Sequence, residues 1–136
     1  MSDKIFFDTN SLIYAYSTDE LLKKEAISRI LQSDYDIFIS TQVINEFIHV
    51  MHKKRKIALN AIIVTVDEIV SNLFIAEITM KTIKQAIKIG EKYHYSYFDS
   101  LIISSALELS CSILYTEDMH HEQSIENKLL IKNPFR

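Results

Sequence analysis

Lys4-Ile5-Phe6-Phe7-Asp8-Thr9-Asn10, residues 4–10, is the stretch that decides the fold: an unbroken apolar run closes on an acid followed by two small polar residues. A run without polar alternation reads as a strand covered on both faces. Outward from it, short apolar runs alternate with longer segments of helical spacing, the pattern of a parallel sheet flanked by helices. Residues 36–39 are the second predicted strand, 73–78 the third, 112–115 the fourth, and 129–132 a candidate edge strand ending at Asn133-Pro134. Ser17 and Glu20 have the spacing of a capping box opening a helix with Leu21, Leu22, Ile27, Ile30 and Leu31 on its apolar face. A second helix starts at Ser40 or Thr41, its stripe of Val43, Ile44, Phe47, Ile48 and Met51 opposed by Gln42, Asn45, Glu46 and His49. Further helices are predicted around 59–70, over 79–93 with Ile83, Ile87 and Gly90 on one face, and from Tyr97 or Asp99 to Ser110. That last segment is apolar on most sides, which places it deep against the sheet. The expectation is one α/β domain over residues 1–136, with a central parallel sheet of four to five strands.

Composition removes several classes of function. The 136 residues include one glycine, Gly90, and one proline, Pro134, so no glycine-rich loop is available to cradle phosphate. Cys111 is the sole cysteine and cannot form an internal disulfide or a cysteine zinc site, as expected of a chain kept in a reducing interior. Met1-Ser2-Asp3-Lys4 has no export-signal character, and no apolar stretch approaches the roughly 20 residues of a membrane span. A cytoplasmic protein without a membrane segment is expected. The net charge of −3 argues against a simple electrostatic binder of nucleic acid. It hides an uneven distribution: residues 1–50 and 101–136 are acidic, while residues 51–100 hold eight basic side chains against five acidic ones.

Acidic residues at four places in the chain stand out against that background. Asp8 closes the first strand, and Glu117 and Asp118 follow the fourth, so two parallel neighbours would direct acids into one crevice at the carboxyl edge of the sheet. Asp99 has Ile102, Ile103 and Ala106 as its helical neighbours, where an acid is costly unless paired or bound to a cation. Glu46 lies on the polar stripe of its helix. Each has a plainer reading: Asp8 and Asp99 as helix caps, Glu46 as a solvated residue. Placed together at one end of a sheet, however, such carboxylates must protonate or recruit a cation. Oxygen-only ligands suit Mg²⁺ or Mn²⁺ rather than zinc, and the chemistry of such a site is metal-assisted hydrolysis of a phosphodiester.

Four segments in order resemble the acidic motifs of PIN-domain proteins, close to the VapC-type toxin ribonucleases of toxin–antitoxin pairs: Phe7-Asp8-Thr9-Asn10-Ser11-Leu12, Ser40-Thr41-Gln42-Val43-Ile44-Asn45-Glu46-Phe47, Tyr97-Phe98-Asp99-Ser100-Leu101-Ile102 and Leu114-Tyr115-Thr116-Glu117-Asp118-Met119. The resemblance runs nearly end to end and implies a three-layer PIN-like fold. It implies that Asp8, Glu46, Asp99 and Asp118 hold Mg²⁺ or Mn²⁺, with Glu46 as a further ligand or base, and that Asn10 and Thr116, with Glu117 less centrally, support them. An RNA substrate, a cognate antitoxin and a homodimer are implied as partners. Where similar chains carry a glycine a few residues after the last acid, this one has Glu122.

The basic run Lys53-Lys54-Arg55-Lys56 reads either as a contact for RNA phosphates or as a solvated turn. His120 and His121 project differently and read as an exposed loop rather than a zinc site, Cys111 as a small buried hydrophobe, and Tyr93, Tyr95 and Tyr97 as packing or base-stacking groups. An aspartate-based phosphatase or phosphotransfer domain also places Asp after its first strand, but the phosphatase expects a second acid where Asn10 stands. A PIN-fold RNA-binding protein without catalysis is the remaining alternative, opposed by the presence of all four acids.

Overall fold

The structure is a computed structural model that describes residues 3–136; Met1 and Ser2, which open the segment read above for export, lie outside the described residues. The chain runs β1 (Lys4–Phe7), α1 (Thr9–Ala15), α2 (Leu21–Leu31), β2 (Asp36–Ser40), α3 (Thr41–His49) with a π-helical turn over Val50–Lys54, α4 (Leu59–Asn72), β3 (Phe74–Ala76), α5 (Met80–Tyr93), α6 (Tyr97–Glu108), β4 (Ile113–Tyr115), β5 (Ser124–Ile125) and β6 (Leu129–Lys132). The strands form one sheet in the order β3-β2-β1-β4-β6-β5. All neighbours are parallel except β5 and β6. Five parallel strands match the expected sheet, and the two-residue β5 adds a sixth at its edge.

This order creates a switch point. From β1 the chain builds outward through β2 to β3, then crosses back to lay β4 on the other side of β1, with Phe7 paired to Tyr115. Connections leaving β1 in opposite directions open a crevice at the carboxyl ends of β1 and β4, where ligands collect in open α/β sheets. Right-handed crossovers put α1–α4 on one face and the packed pair α5 and α6 on the other. Ile5, Phe6 and Phe7 are consequently sealed on both sides at 0% exposure, each burial contributing about 1.5–3 kcal/mol.

Helix starts set the site. Asp8 is the N-cap of α1 and Ser40 that of α3, and Ser96 caps α6 by accepting the Asp99 N–H at 3.2 Å. On α6 every residue from Ser100 to Ala106 is buried. It lies close against α5 because Gly90 has no side chain: a Cβ there would stand 2.9 Å from the Ser100 hydroxyl oxygen.

Several local expectations are corrected. Ser17 does not open a helix; its hydroxyl accepts the Asp19 and Glu20 N–H groups in a local turn, and α2 begins at Leu21. Leu21 and Leu22 are exposed, and of the predicted apolar face only Ile27 is fully buried. On α5 the inward face is Thr82, Ala86 and Ile89, while Ile87 is exposed, because the contact with α6 is so close that small residues fill it. β6 is not the edge of the sheet; β5 covers it. His52 to Lys54 belong to the π-helical turn that prolongs α3. Among the described residues no helix is long and apolar enough to cross a membrane.

Candidate active site

Asp8 sits in the switch-point crevice and is the best-buried acid of the group. Its backbone N–H donates to the Tyr115 carbonyl at 3.1 Å, tying it to the end of β4. Its Oδ1 accepts the Thr9 N–H at 2.7 Å and its Oδ2 the Thr116 hydroxyl at 2.8 Å. Burial pushes its carboxyl up to about 6 against the pull of those two bonds, and the charges of Asp99 and Asp118 push the same way.

Neutral donors link Asp118 and Glu46 to this centre. The Thr116 hydroxyl that donates to Asp8 also accepts the Asp118 N–H at 3.2 Å, and Asn10 Nδ2 donates to Asp118 Oδ2 at 2.6 Å. Thr9 Oγ1 donates to Glu46 Oε1 at 3.3 Å. Desolvation, opposed by hydrogen bonds from Thr9 and Gln42 and reinforced by the Asp99 charge, raises the Glu46 carboxyl. Burial raises Asp99 as well, against the Ser96 bond and together with the Asp118 charge. Asp8, Glu46 and Asp99 thus each register the charge of another acid, and the four acids come from four places in the chain: the end of β1, the middle of α3, the first turn of α6 and the loop after β4. Thr9 escaped the sequence reading although it joins Asp8 to Glu46. Its one signal was its place at the first position of a helix capped by Asp8.

None of the ion pairs among the described residues includes Asp8, Glu46, Asp99 or Asp118. Glu117, the neighbour of Asp118, behaves differently. It accepts from Tyr14 and pairs with Lys23 Nζ at 2.9 Å, and these partners outweigh desolvation and hold its carboxyl below the ordinary range. Glu117 is therefore compensated within the protein, whereas no ion pair among the described residues offsets the other four. Among the described residues no three His, Cys, Asp or Glu side chains stand close enough together to hold a metal ion as they are placed. An open set of carboxylate oxygens held by neutral donors still fits a hard divalent ion, which keeps several waters and takes only one or two carboxylates directly.

The basic run is not at the crevice. Lys53 and Lys54 end the π-helical turn, roughly 10–12 Å along the helix axis from Glu46, and Arg55 pairs with Asp19 at 3.4 Å. His121 Nδ1 accepts the Asn133 N–H at 2.9 Å, and His120 stands against the Tyr95 ring, so the two histidines face different partners. Cys111 is buried and its thiol is pushed up to about 12 by desolvation. Glu122 has φ 67°, the left-handed conformation that costs a residue with a side chain about 1–2 kcal/mol and glycine almost nothing. The glycine expected there by resemblance has a backbone reason, and Glu122 keeps the turn without it.

Residues 5–123 match the PIN domain family. The chain belongs to that family. The PIN domain's fold is shared with solved toxin structures: a toxin–antitoxin complex from Klebsiella pneumoniae (TM-score 0.70, 19% identity, 96% of this chain and 97% of that one) and VapC20 of Mycobacterium tuberculosis, a sarcin-ricin loop cleaving toxin (0.68, 15%, 84% and 89%). VapBC2 from Rickettsia felis, bound to a DNA fragment from its promoter, is similar at TM-score 0.66 and 20% identity over 96% of this chain and 98% of that one. No curated protein matches the sequence.

Proposed function

We propose that this PIN domain is a metal-dependent endoribonuclease acting as the toxin of a type II toxin–antitoxin pair. The observation that carries the reading is the placement of four carboxylates: Asp8, Glu46 and Asp118 are joined by Thr9, Thr116 and Asn10, Asp99 lies near enough for its charge to raise Asp8 and Glu46, and none of the four is in an ion pair among the described residues. These four would hold Mg²⁺ or Mn²⁺ directly or through water. When bound, such an ion polarises phosphate oxygens and neutralises charge developing on the scissile group.

The protein's own groups have separable parts. Thr116 orients Asp8 and Asp118 together, through a donated and an accepted hydrogen bond on one hydroxyl. Asn10 fixes one Asp118 oxygen and leaves the other free. Glu46 is the acid most open to solvent with a raised carboxyl, which suits it to take a proton from an attacking water at its carboxylate oxygen. Lys53, Lys54 and Lys56, exposed at the far end of the helix, would meet phosphates flanking the cleaved one. That solved relatives of the fold include toxin–antitoxin complexes supports an antitoxin partner, and the reading includes a homodimer in the cytoplasm. Purified protein should cut RNA with Mg²⁺ or Mn²⁺ and stop with EDTA, and Asp8→Asn should abolish cutting. Metal-independent cutting, or equal activity in the variant, would overturn the assignment.

A further inference from the structure

Beside the acid crevice lies a cleft of about 720 Å³ lined by Thr41, Gln42, Asn45, His49, Ile78 and Phe98, with Glu46 on its wall. Phe98 immediately precedes Asp99. Phe98 is 65% exposed, and Tyr97, itself 39% exposed, meets its ring edge-on at 5.4 Å. Because α6 buries everything from Ser100 to Ala106, these two aromatics are turned outward at the mouth of the site rather than into the core. Their position is fixed from α3: Gln42 Nε2 donates to the Phe98 carbonyl at 3.1 Å, and Gln42 Oε1 is buried with no donor of its own. Asn45 and His49 lie one and two turns further along α3 on the same face and are exposed.

An exposed aromatic face opposite a polar edge fits a heterocyclic base, which stacks on one and hydrogen-bonds to the other. The lining contains no lysine or arginine and includes a carboxylate, so a phosphate would be repelled where an uncharged base would not. We propose that this cleft is a nucleobase subsite: the base next to the scissile phosphate of single-stranded RNA stacks on Phe98, with its polar edge toward Asn45 and His49. Gln42 is the positioning residue that holds the platform. The inference rests on the ribonuclease reading of the adjoining acids.

The chain contains no tryptophan, so Phe98→Trp places the protein's one tryptophan, excited selectively over its tyrosines, in the cleft. After the cleaved bond is mapped on an oligoribonucleotide, this variant is titrated in EDTA with that oligonucleotide and with versions lacking the base on either side of the bond. Quenching is expected with the intact strand and is lost for one of the two abasic strands. Phe98→Ala should raise KM about tenfold or more on intact RNA, and removing that same base should cost the wild type, but not Phe98→Ala, a similar factor. A wild type that cuts RNA, with quenching indifferent to both abasic sites or with Phe98→Ala at wild-type KM, overturns the subsite alone. A concentration-dependent tryptophan change without RNA, abolished on dilution, overturns it in favour of self-association at this face. A wild type that neither binds nor cuts RNA overturns the ribonuclease reading and the subsite with it.

Discussion

Asp8→Asn should make the protein more stable at neutral pH while destroying its activity. The fold holds the Asp8 carboxyl at about 6 against an ordinary value of 3.8, so the native state binds the proton more tightly than the unfolded chain. Where the native state holds more protons, stability falls as pH rises; the penalty is nearly absent below 3.8, grows through the interval up to 6, and is constant above it. For those two values it is about 3 kcal/mol at pH 7 and about 0.5 kcal/mol at pH 4. Asparagine removes the charge and keeps the shape. Its Oδ1 still accepts the Thr9 N–H, and the Thr116 hydroxyl can rotate to accept from the new amide. Urea unfolding of both proteins without metal should give a variant more stable by about 2–3 kcal/mol at pH 7, of order 5–10 °C in Tm, and nearly equal stabilities at pH 4. Glu46 and Asp99 titrate in both proteins, so the difference reports Asp8 together with its coupling to Asp99 and Asp118. Millimolar Mn²⁺ should narrow the gap at pH 7 by stabilising the wild type preferentially. A variant no more stable than wild type at pH 7, or a gap equal at both pH values, would refute the argument that the fold holds Asp8 as an uncompensated charge.

Thr116→Val leaves Asp8 Oδ2 and the Asp118 N–H without the shared hydroxyl, so urea unfolding at pH 7 should show a loss of about 1–3 kcal/mol together with slower RNA cleavage. Glu117→Gln weakens a contact with Lys23 and Tyr14 outside the acid web and should leave cleavage within a few-fold of wild type, whereas Asp118→Asn should reduce it by orders of magnitude; side-by-side rates decide between the adjacent acids. Gly90→Ala should cost about 1–3 kcal/mol through the 2.9 Å approach to the Ser100 hydroxyl, and Ser100→Ala in the same chain should return part of it, a non-additivity read from denaturation of the double mutant. Glu122→Gly should raise stability by up to about 1 kcal/mol by relieving the left-handed turn, measured by thermal unfolding.

What was legible in the chain was whatever burial makes apolar without interruption. Ile5-Phe6-Phe7 and the α6 segment announce themselves because both faces of each are covered, and an acid at the end of such a run is conspicuous for the same reason. The α5 face was misread because its contact is set by proximity rather than by hydrophobic bulk. Thr82 and Ala86 face inward beside Gly90, and Ile87 is left outside. Ser17 misled because a serine that caps a helix and one that closes a local turn accept the same N–H groups, and only the chain beyond decides which. The two-residue β5 carries too few side chains for any periodicity.

The cap readings of Asp8 and Asp99 resolve differently, and the difference bears on function. Asp8 does cap α1, yet one Oδ1 bond satisfies the helix while Oδ2 is held by Thr116 from the end of the neighbouring β4, so capping and membership of the acid cluster are compatible. Asp99 does not cap α6, because Ser96 already does; the helix gains nothing from the Asp99 carboxylate beyond a favourable charge in its first turn. Burial and the Asp118 charge both oppose ionisation there. Asparagine at position 99 would keep the size and remove that opposition, so the fold on its own favours the amide. On the metal-dependent reading the carboxylate charge serves a bound ion, and Asp99→Asn should therefore raise metal-free stability at pH 7 while losing the gain from Mn²⁺; an unchanged response to the ion would show that Asp99 does not face it.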